Sequence, residues 1–453
     1  MKGVSATAPV GRSHVRAVQT VGESAAYEPH TPHDGRMAQQ PEHVVVIGAG
    51  MVGLSTAWFL QRQGVRVTVV DRDGVAAGSS WGNAGWLAPA LTLPLPDPAI
   101  LSTGIRAALR PSSPVYVPFT VDPRLWRFLI GFARHCTPTH WNRAMAVFNH
   151  ANLAGADAFD ELGAALDEPV RDARPFLAAF ASAEDRQALV DEFEHAAVTG
   201  GKASYQLLDA AEVHALEPAL GPDVTHGISI HGQRFINPGR FVHALADAVT
   251  SAGGTIRTGM TVDAVVDRGS SVTATSADGQ TVTADSAVIA NGTRLGALAR
   301  THGVKRIVQA GRGYSFTIHP EHVPSGPVYF PAQRVACTPL GGPGDGLRVA
   351  GMMEFRSPDA PLDPRRITAI VDAAAPMMAG VDWSQRTDEW VGSRPCTADG
   401  LPLVGRTRSP RVHGAGGHGM WGVALGPLSG RLLADQIVHG RTSDLLRAFD
   451  PLR

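Results

Sequence analysis

Three glycines and one acid carry the first chemistry visible in the chain. Gly48, Gly50 and Gly53 stand in H-V-V-V-I-G-A-G-M-V-G-L-S-T-A-W-F-L-Q-R-Q-G-V-R-V-T-V-V-D, which runs from His43 to Asp71. A G-x-G-x-x-G spacing can hold a pyrophosphate. Gly48 allows a tight turn, Gly50 lets backbone approach the phosphates, and Gly53 lets a helix lie close on a strand. The N–H groups at the helix start and the positive end of its dipole then favour the anion. Asp71, about 20 residues further on, is placed to accept hydrogen bonds from a ribose diol. An acid rather than a base there argues against a ribose 2′-phosphate, so FAD or NAD is favoured over NADP.

Glycine-rich turns are common, and their context decides what they mean. Here the apolar run Val44–Ile47 predicts a strand entering the turn, a helix follows from about Leu54, and Val65–Val70 predicts the second strand. The small-residue loop from Gly78 to Ala90 can lie against a flat ring without side-chain clashes, with a plain surface loop as the alternative. Proline-broken sequence continues to about Pro123, and Asp122 to Leu166 reads as helical. There Leu125, Trp126, Leu129, Ile130 and Phe132 interleave with Arg124, Arg127 and Arg134. Such a segment packs inward, as most amphipathic helices do, or rests on a membrane surface.

Further on, Phe241–Ser251 predicts a helix ended by Gly253-Gly254. Strands are predicted in T-I-R-T-G-M-T-V-D-A-V-V, in a hairpin from Ser271 to Asp285, and from Ala287 to a small turn at Arg294. Short strands between Arg306 and Phe355, split by Gly and Pro, predict an antiparallel sheet. The stretch from Arg411 to Ile437 supplies a last strand, a glycine turn and a helix of about 16 residues.

The expected fold class is α/β, with a discontinuous Rossmann-type FAD-binding domain and a second α+β substrate domain built on an antiparallel sheet. The first domain takes residues 41–95, 231–300 and 393–453. The second takes 96–230, expected to be helical, and 301–392. Residues 1–40, rich in Ala, Ser, Pro, Gln and His and lacking an apolar export core, are expected to be a disordered tail. The opening M-A-Q-Q-P-E-H-V at Met37 marks an expected start of the protein proper.

Composition narrows the function classes. Over 453 residues the formal charge is -1 and charged residues make up 18%, which excludes a nucleic-acid binder steered by a basic field. No apolar run reaches the roughly 18 residues of a membrane span. Cys136, Cys337 and Cys396 stand far apart, which fits a reducing, cytoplasmic setting, offers no metal site, and reads as three small buried apolar residues. Peripheral contact with the inner membrane face stays open through the arginine-bearing helical segment.

From residue 43 to about 440 the chain resembles the FAD-dependent D-amino acid dehydrogenases, within the wider D-amino acid oxidase and glycine oxidase group. The resemblance rests on V-V-V-I-G-A-G-M-V-G, G-S-S-W-G-N-A-G, G-R-G-Y-S-F-T, and G-S-R-P-C-T-A-D-G-L-P-L-V-G followed by G-G-H-G-M-W-G. It implies FAD, its adenosine end along Gly48 to Asp71 with Met51, Val52 and Arg72, and a backbone contact to adenine from Val262. Ser79 and Gly292 join that lining. Asn83, Ala84 and Gly85 would touch the isoalloxazine. Gly417, His418 and Gly419, with Met420, would close over its pyrimidine edge, where a helix N-terminus stabilises the charge of the reduced ring.

In the same resemblance Arg394 grips the substrate carboxylate, because a planar guanidinium forms two parallel charge-assisted bonds. Tyr314 matches a pocket position, with a core tyrosine as an equal alternative. Glu354 also falls on a family position, where a structural hydrogen-bonding role is equally open. The implied reaction is hydride transfer from Cα to flavin N5, giving an imino acid that water converts to a 2-oxo acid and ammonia. Electrons then pass to a quinone or to oxygen. No separate base is required when the amine arrives neutral.

A small or cyclic substrate such as D-alanine or a D-proline derivative is expected. The alternatives are a glycine- or sarcosine-type or D-hydroxyproline oxidase or dehydrogenase, and a flavin-binding accessory subunit. An NAD-dependent enzyme is disfavoured, because the closing segment Gly414 to Ile437 has no part in a simple NAD domain. The sequence departs from the family pattern twice. Trp81 and Gly82 replace F-A in the usual F-A-N-A-G, and Thr338-Pro339-Leu340 replaces the usual T-R-L. Both departures bear on the side chain accepted at Cα.

Overall fold

The computed structural model describes residues 40–98, 113, 115–342 and 344–453. The expected tail, the start at Met37 and much of the proline-broken stretch lie outside the described residues.

The apolar, β-branched runs V-V-V-I and V-T-V-V become the strands His43–Ile47 and Arg66–Val70, which pair in parallel at the centre of a six-stranded sheet. Its order is Thr255–Arg257, Arg66–Val70, His43–Ile47, Ser286–Ile289, Val412–Gly416, Leu403–Arg406. All neighbours are parallel except the last pair. A sheet buried on both faces needs apolar residues at every position, and alternation then sends them to two cores. Val44 and Val46 join Leu54, Phe59, Phe241, Leu428 and Leu433 from the helices Met51–Arg62, Pro238–Ser251 and Gly426–His439. Val45 and Ile47 join Val265, Val272 and Val282 of a three-stranded antiparallel meander. The strands come from three separate stretches of chain, so the parallel layer is discontinuous as expected.

The second layer is a nine-stranded sheet. Along its path lie Thr387–Cys396, Gln309–Ile318, Leu347–Phe355, Val335–Pro339, Val328–Phe330, Phe176–Phe180, His226–His231 and Ser204–Leu208, with Val115–Tyr116 beside Leu347–Phe355. It is antiparallel apart from the pairs Val328–Phe330 with Phe176–Phe180 and Val115–Tyr116 with Leu347–Phe355. Four of these strands fall wholly or mostly in the region expected to be helical. The run F-L-A-A-F is apolar throughout and fully buried, so it carries no two-residue alternation to mark it as a strand. The boundary expected between residues 392 and 393 also falls inside the strand Thr387–Cys396.

Strand Gln309–Ile318 divides this sheet into two faces. Tyr314, Phe316 and Ile318 pack with Leu347, Val349 and Val335 under the helix Pro364–Ala374. Gly311, Gly313 and Ser315 point the other way, since successive residues alternate. One irregularity interrupts the pairing with Leu347–Phe355: Tyr314 stands opposite Gly351, but Arg312 stands opposite Glu354. The extra residue forms a β-bulge in which Met352 adopts a left-handed φ of 64°.

The helical segment forms Pro123–His135 and Pro138–Gly163, each with Pro in its first turn and capped by Asp122 or Thr137. Leu125 and Phe132 pack inward against Met353, Phe355 and Cys396, whereas Trp126 and Ile130 stay 46% and 53% exposed. The three cysteines are free and buried, and burial pushes the thiol of Cys136 up to about 11 and those of Cys337 and Cys396 up to about 12. Among the described residues no helix is long and apolar enough to cross a membrane.

Candidate active site

A cavity of about 300 Å³ runs along the parallel layer and reaches the nine-stranded sheet. The glycine turn builds its floor. Gly48 has φ 120°, and a Cβ there would strike the Ala290 carbonyl; a Cβ on Gly53 would strike the Gly48 carbonyl. The turn and helix therefore fit only without side chains. The helix Met51–Arg62 starts at Gly50 with no side-chain cap and no acid in its first turn, and the Met51 N–H donates to Ser80 Oγ at 3.2 Å. Gly48, Gly50, Met51 and Val52 line the cavity, and Gly53 sits behind them at the strand–helix contact.

Asp71 lines the cavity, yet its carboxylate is already engaged. Oδ2 accepts from the Ala49 N–H at 2.8 Å, and Oδ1 accepts from the Asp73 and Gly74 N–H groups at 2.9 and 3.0 Å. It ties the glycine turn to the next loop, and its remaining lone pairs are what a ribose could use. Arg72 lines the cavity too and pairs with Asp73 at 2.5 Å. Val262 and Gly292 border the same space.

The loop after Asp71 brings Ser79 and Asn83 to the cavity. Ala84 and Gly85 are not among the lining residues. Gly85 turns behind the loop with φ 75°, its N–H donating to Asn83 Oδ1 at 2.8 Å and its carbonyl accepting from Ile236 N–H at 2.9 Å. The expected trio thus divides into one lining residue, Asn83, and two off the cavity, of which Gly85 pins the Asn83 side chain. The closing segment divides the same way: His418, Gly419 and Met420 line the cavity, and Gly417 packs against Thr397 and Leu403. Immediately after His418 the chain makes a 3₁₀ turn, Gly419–Trp421, and the long helix begins only at Gly426. The His418 ring meets Ser429 Oγ at 2.7 Å, and burial lowers its pKa to about 4, so it is neutral near pH 7.

Arg394 lies near the end of the strand Thr387–Cys396, opposite Gly311, and borders the cavity. Its Nη1 donates to the Met352 carbonyl at 2.9 Å. The bulge presents that carbonyl, at the cost of one left-handed non-glycine residue. The guanidinium lies over Gly313, where any Cβ would overlap it. No acid among the described residues pairs with Arg394, and burial lowers its pKa.

Tyr314 is not brought to the cavity. Alternation places it on the opposite face, where its hydroxyl donates to Glu354 Oε2 at 2.5 Å. Glu354 is fully buried and also faces Arg312 at 3.5 Å and Arg356 at 3.3 Å. Sequence reasoning missed Ser80, Gly313 and Trp390. The Trp390 indole covers both Gly392 and Gly82, neither of which could carry a Cβ there. The glycines of G-S-S-W-G-N-A-G and G-R-G-Y-S were visible, but which side chain needed their space was not.

The residues fit a flavin dinucleotide: an uncapped helix start over a side-chain-free turn suits the pyrophosphate, and a cation without a counter-charge waits beyond. The family model described as "FAD dependent oxidoreductase" matches residues 43–436. The D-amino acid dehydrogenase of Cereibacter sphaeroides is 30% identical over 413 residues, 89% of this chain and 93% of the relative. That of Methylobacterium radiotolerans is 32% identical over 416 residues, 89% and 97% respectively. Glycine oxidase from Geobacillus kaustophilus shares the fold with a TM-score of 0.67 at 20% identity, covering 91% of this chain and 98% of its own.

Proposed function

The chain belongs to the FAD dependent oxidoreductase family, and we propose that it oxidises a D-amino acid to a 2-oxo acid and ammonia, passing electrons to a quinone. The observation that carries this reading is Arg394: a guanidinium on the cavity with one carbonyl partner and no acid. Burial without a counter-charge is costly, and a substrate carboxylate relieves that cost through charge-assisted bonds. The D configuration and the non-oxygen acceptor follow the names of the relatives at 30% and 32% identity.

FAD, when bound, supplies the acceptor for the hydride that leaves Cα. The protein's part is placement. Gly48, Gly50, Met51 and Val52 hold the pyrophosphate, Asp71 and Val262 the adenosine end, and Asn83, His418, Gly419 and Met420 the ring. Arg394 fixes the carboxylate end of the substrate, and Met352 and Gly313 fix Arg394. Trp390 packs over Gly392 and Gly82 beside it. The lining acids are committed elsewhere: Asp71 to backbone amides, Asp73 to Arg72 and Asp359 to Arg294. The amine is therefore taken up neutral, with no protein base. Tyr314 acts through Glu354 as a positioning residue. In domain terms, the parallel layer holds the cofactor and the nine-stranded sheet presents the substrate.

Anaerobic addition of D-amino acids, glycine or sarcosine to the yellow holoenzyme tests the reading. D-amino acids should bleach the flavin, and a quinone should restore the colour faster than air. Bleaching by glycine or sarcosine alone, or rapid recovery in air, would favour a glycine-type oxidase instead.

A further inference from the structure

Three arginines lie nearly or wholly buried in the nine-stranded sheet or the helix packed on it, and they are not treated alike. Arg312 meets Glu354 and donates to the carbonyls of Ala360 and Pro361 at 2.7 and 2.9 Å. Arg366 donates to the Ser113 carbonyl at 2.8 Å. Some buried nitrogens of Arg312 and Arg366 also make no hydrogen bond, but each guanidinium has carbonyl acceptors, whereas Arg348, only 5% exposed, makes no hydrogen bond among the described residues and no acid pairs with it there. Its guanidinium stacks over Trp81 at 4.5 Å. The nearest compensation is a longer-range pull from Asp388, whose carboxylate accepts from Thr317 Oγ1 at 3.0 Å.

Arg348 shares a face with Arg394. It stands opposite Thr317, two residues beyond Ser315 on the strand whose Gly313 lies under Arg394. Ser315, wholly buried, is its diagonal neighbour, and the Ser315 Oγ also lacks a partner. Between the two cations stand two indoles. Trp390 covers Gly392, the register partner of Gly313, and its ring lies 6.4 Å from that of Trp81. Trp81 and Gly82 are one of the places where the sequence departs from its family pattern. Thr338, beside the other, pairs in register with Arg348 and accepts from Trp86 Nε1 at 2.8 Å.

We infer that the substrate carries a second carboxylate and that Arg348 with Ser315 receives it, so that the enzyme takes dicarboxylic D-amino acids. This rests on the reading of Arg394 above. Arg394 lies over Gly313, and Arg348 stands opposite Thr317, four residues along the same face of that strand. The indole wall suits the methylenes between the charges. A neutral side chain would leave Arg348 buried and uncompensated, which builds selection against it into the site.

Steady-state kinetics of the holoenzyme with a dye acceptor test this, using D-glutamate and D-aspartate against D-norvaline and D-alanine. The acids should exceed the neutral substrates in kcat/KM by about tenfold or more, and Arg348→Met should lower that ratio by about tenfold to a hundredfold. If the variant does not fold, competitive inhibition of the wild type serves instead, with glutarate expected to bind about tenfold more tightly than butyrate. A neutral preference, an unchanged ratio in Arg348→Met, or glutarate no better than butyrate overturns the inference. Neutral turnover without acid turnover overturns the subsite alone, and no turnover of any D-amino acid overturns the reading beneath it as well.

Discussion

The two faces of the nine-stranded sheet use arginine in opposite ways. On the face under the helix Pro364–Ala374, Arg312 and Arg356 surround the fully buried Glu354, and Tyr314 donates to the same carboxylate. On the cavity face, Arg394 and Arg348 meet carbonyl or indole but no acid. A buried cation surrounded by its own partners is structure, and one left without them is a demand on a ligand. The contrast separates two groups of residues that lie on the same strands a few ångströms apart.

The largest effect that could break this contrast is at Arg394. Arg394→Met should lower kcat/KM by about a thousandfold, the loss of two charge-assisted bonds, while flavin absorbance stays at wild-type level. Full activity in that variant would mean the cavity face binds nothing through its cation. On the other face, Glu354→Gln leaves Arg312 without its counter-charge and should cost about 3 kcal/mol or more of stability, read as a lower Tm. If its main effect is on KM instead, the two faces are not functionally distinct. Gly313→Ala should displace the Arg394 guanidinium and raise KM about tenfold with flavin retained, because the added methyl competes with it for space.

A smaller effect concerns pH. Burial depresses His413 and His418 to about 4 from an ordinary value of 6.5, so the unfolded chain binds more protons between those limits. Their stabilising contribution is complete above pH 6.5 and is lost as pH falls toward 4. His418→Gln, which cannot charge, should flatten the fall of Tm across that window by a few degrees. An unaltered slope would show that the His418 imidazole is not coupled to folding.

The nucleotide turn was legible because strand, glycines, helix and acid lie within one local stretch and each obeys its own short-range rule. Arg394 was legible through its motif. Tyr314 was misplaced because a strand's side chains alternate, and a motif does not say which parity faces the cavity. The strand Phe176–Phe180 escaped notice because a uniformly apolar run has no period. Trp390 and Arg348 were invisible for a different reason. Their meaning lies in what stands across the sheet, Gly392 and Gly82 for one and an absent acid for the other, and neighbours of that kind are not written in linear order.

The bulge at Met352 sets a parity as well as a carbonyl. Counting strictly by twos from Arg348 would deliver Glu354 to the same side as Arg348 and Arg394; the one supernumerary residue sends it through to the reverse. Shortening the strand by that single residue would straighten it and leave Glu354 opposite Arg312 on the reverse side, so no charge would change places. The loss would fall on the carbonyl that Arg394 meets, leaving the guanidinium untethered.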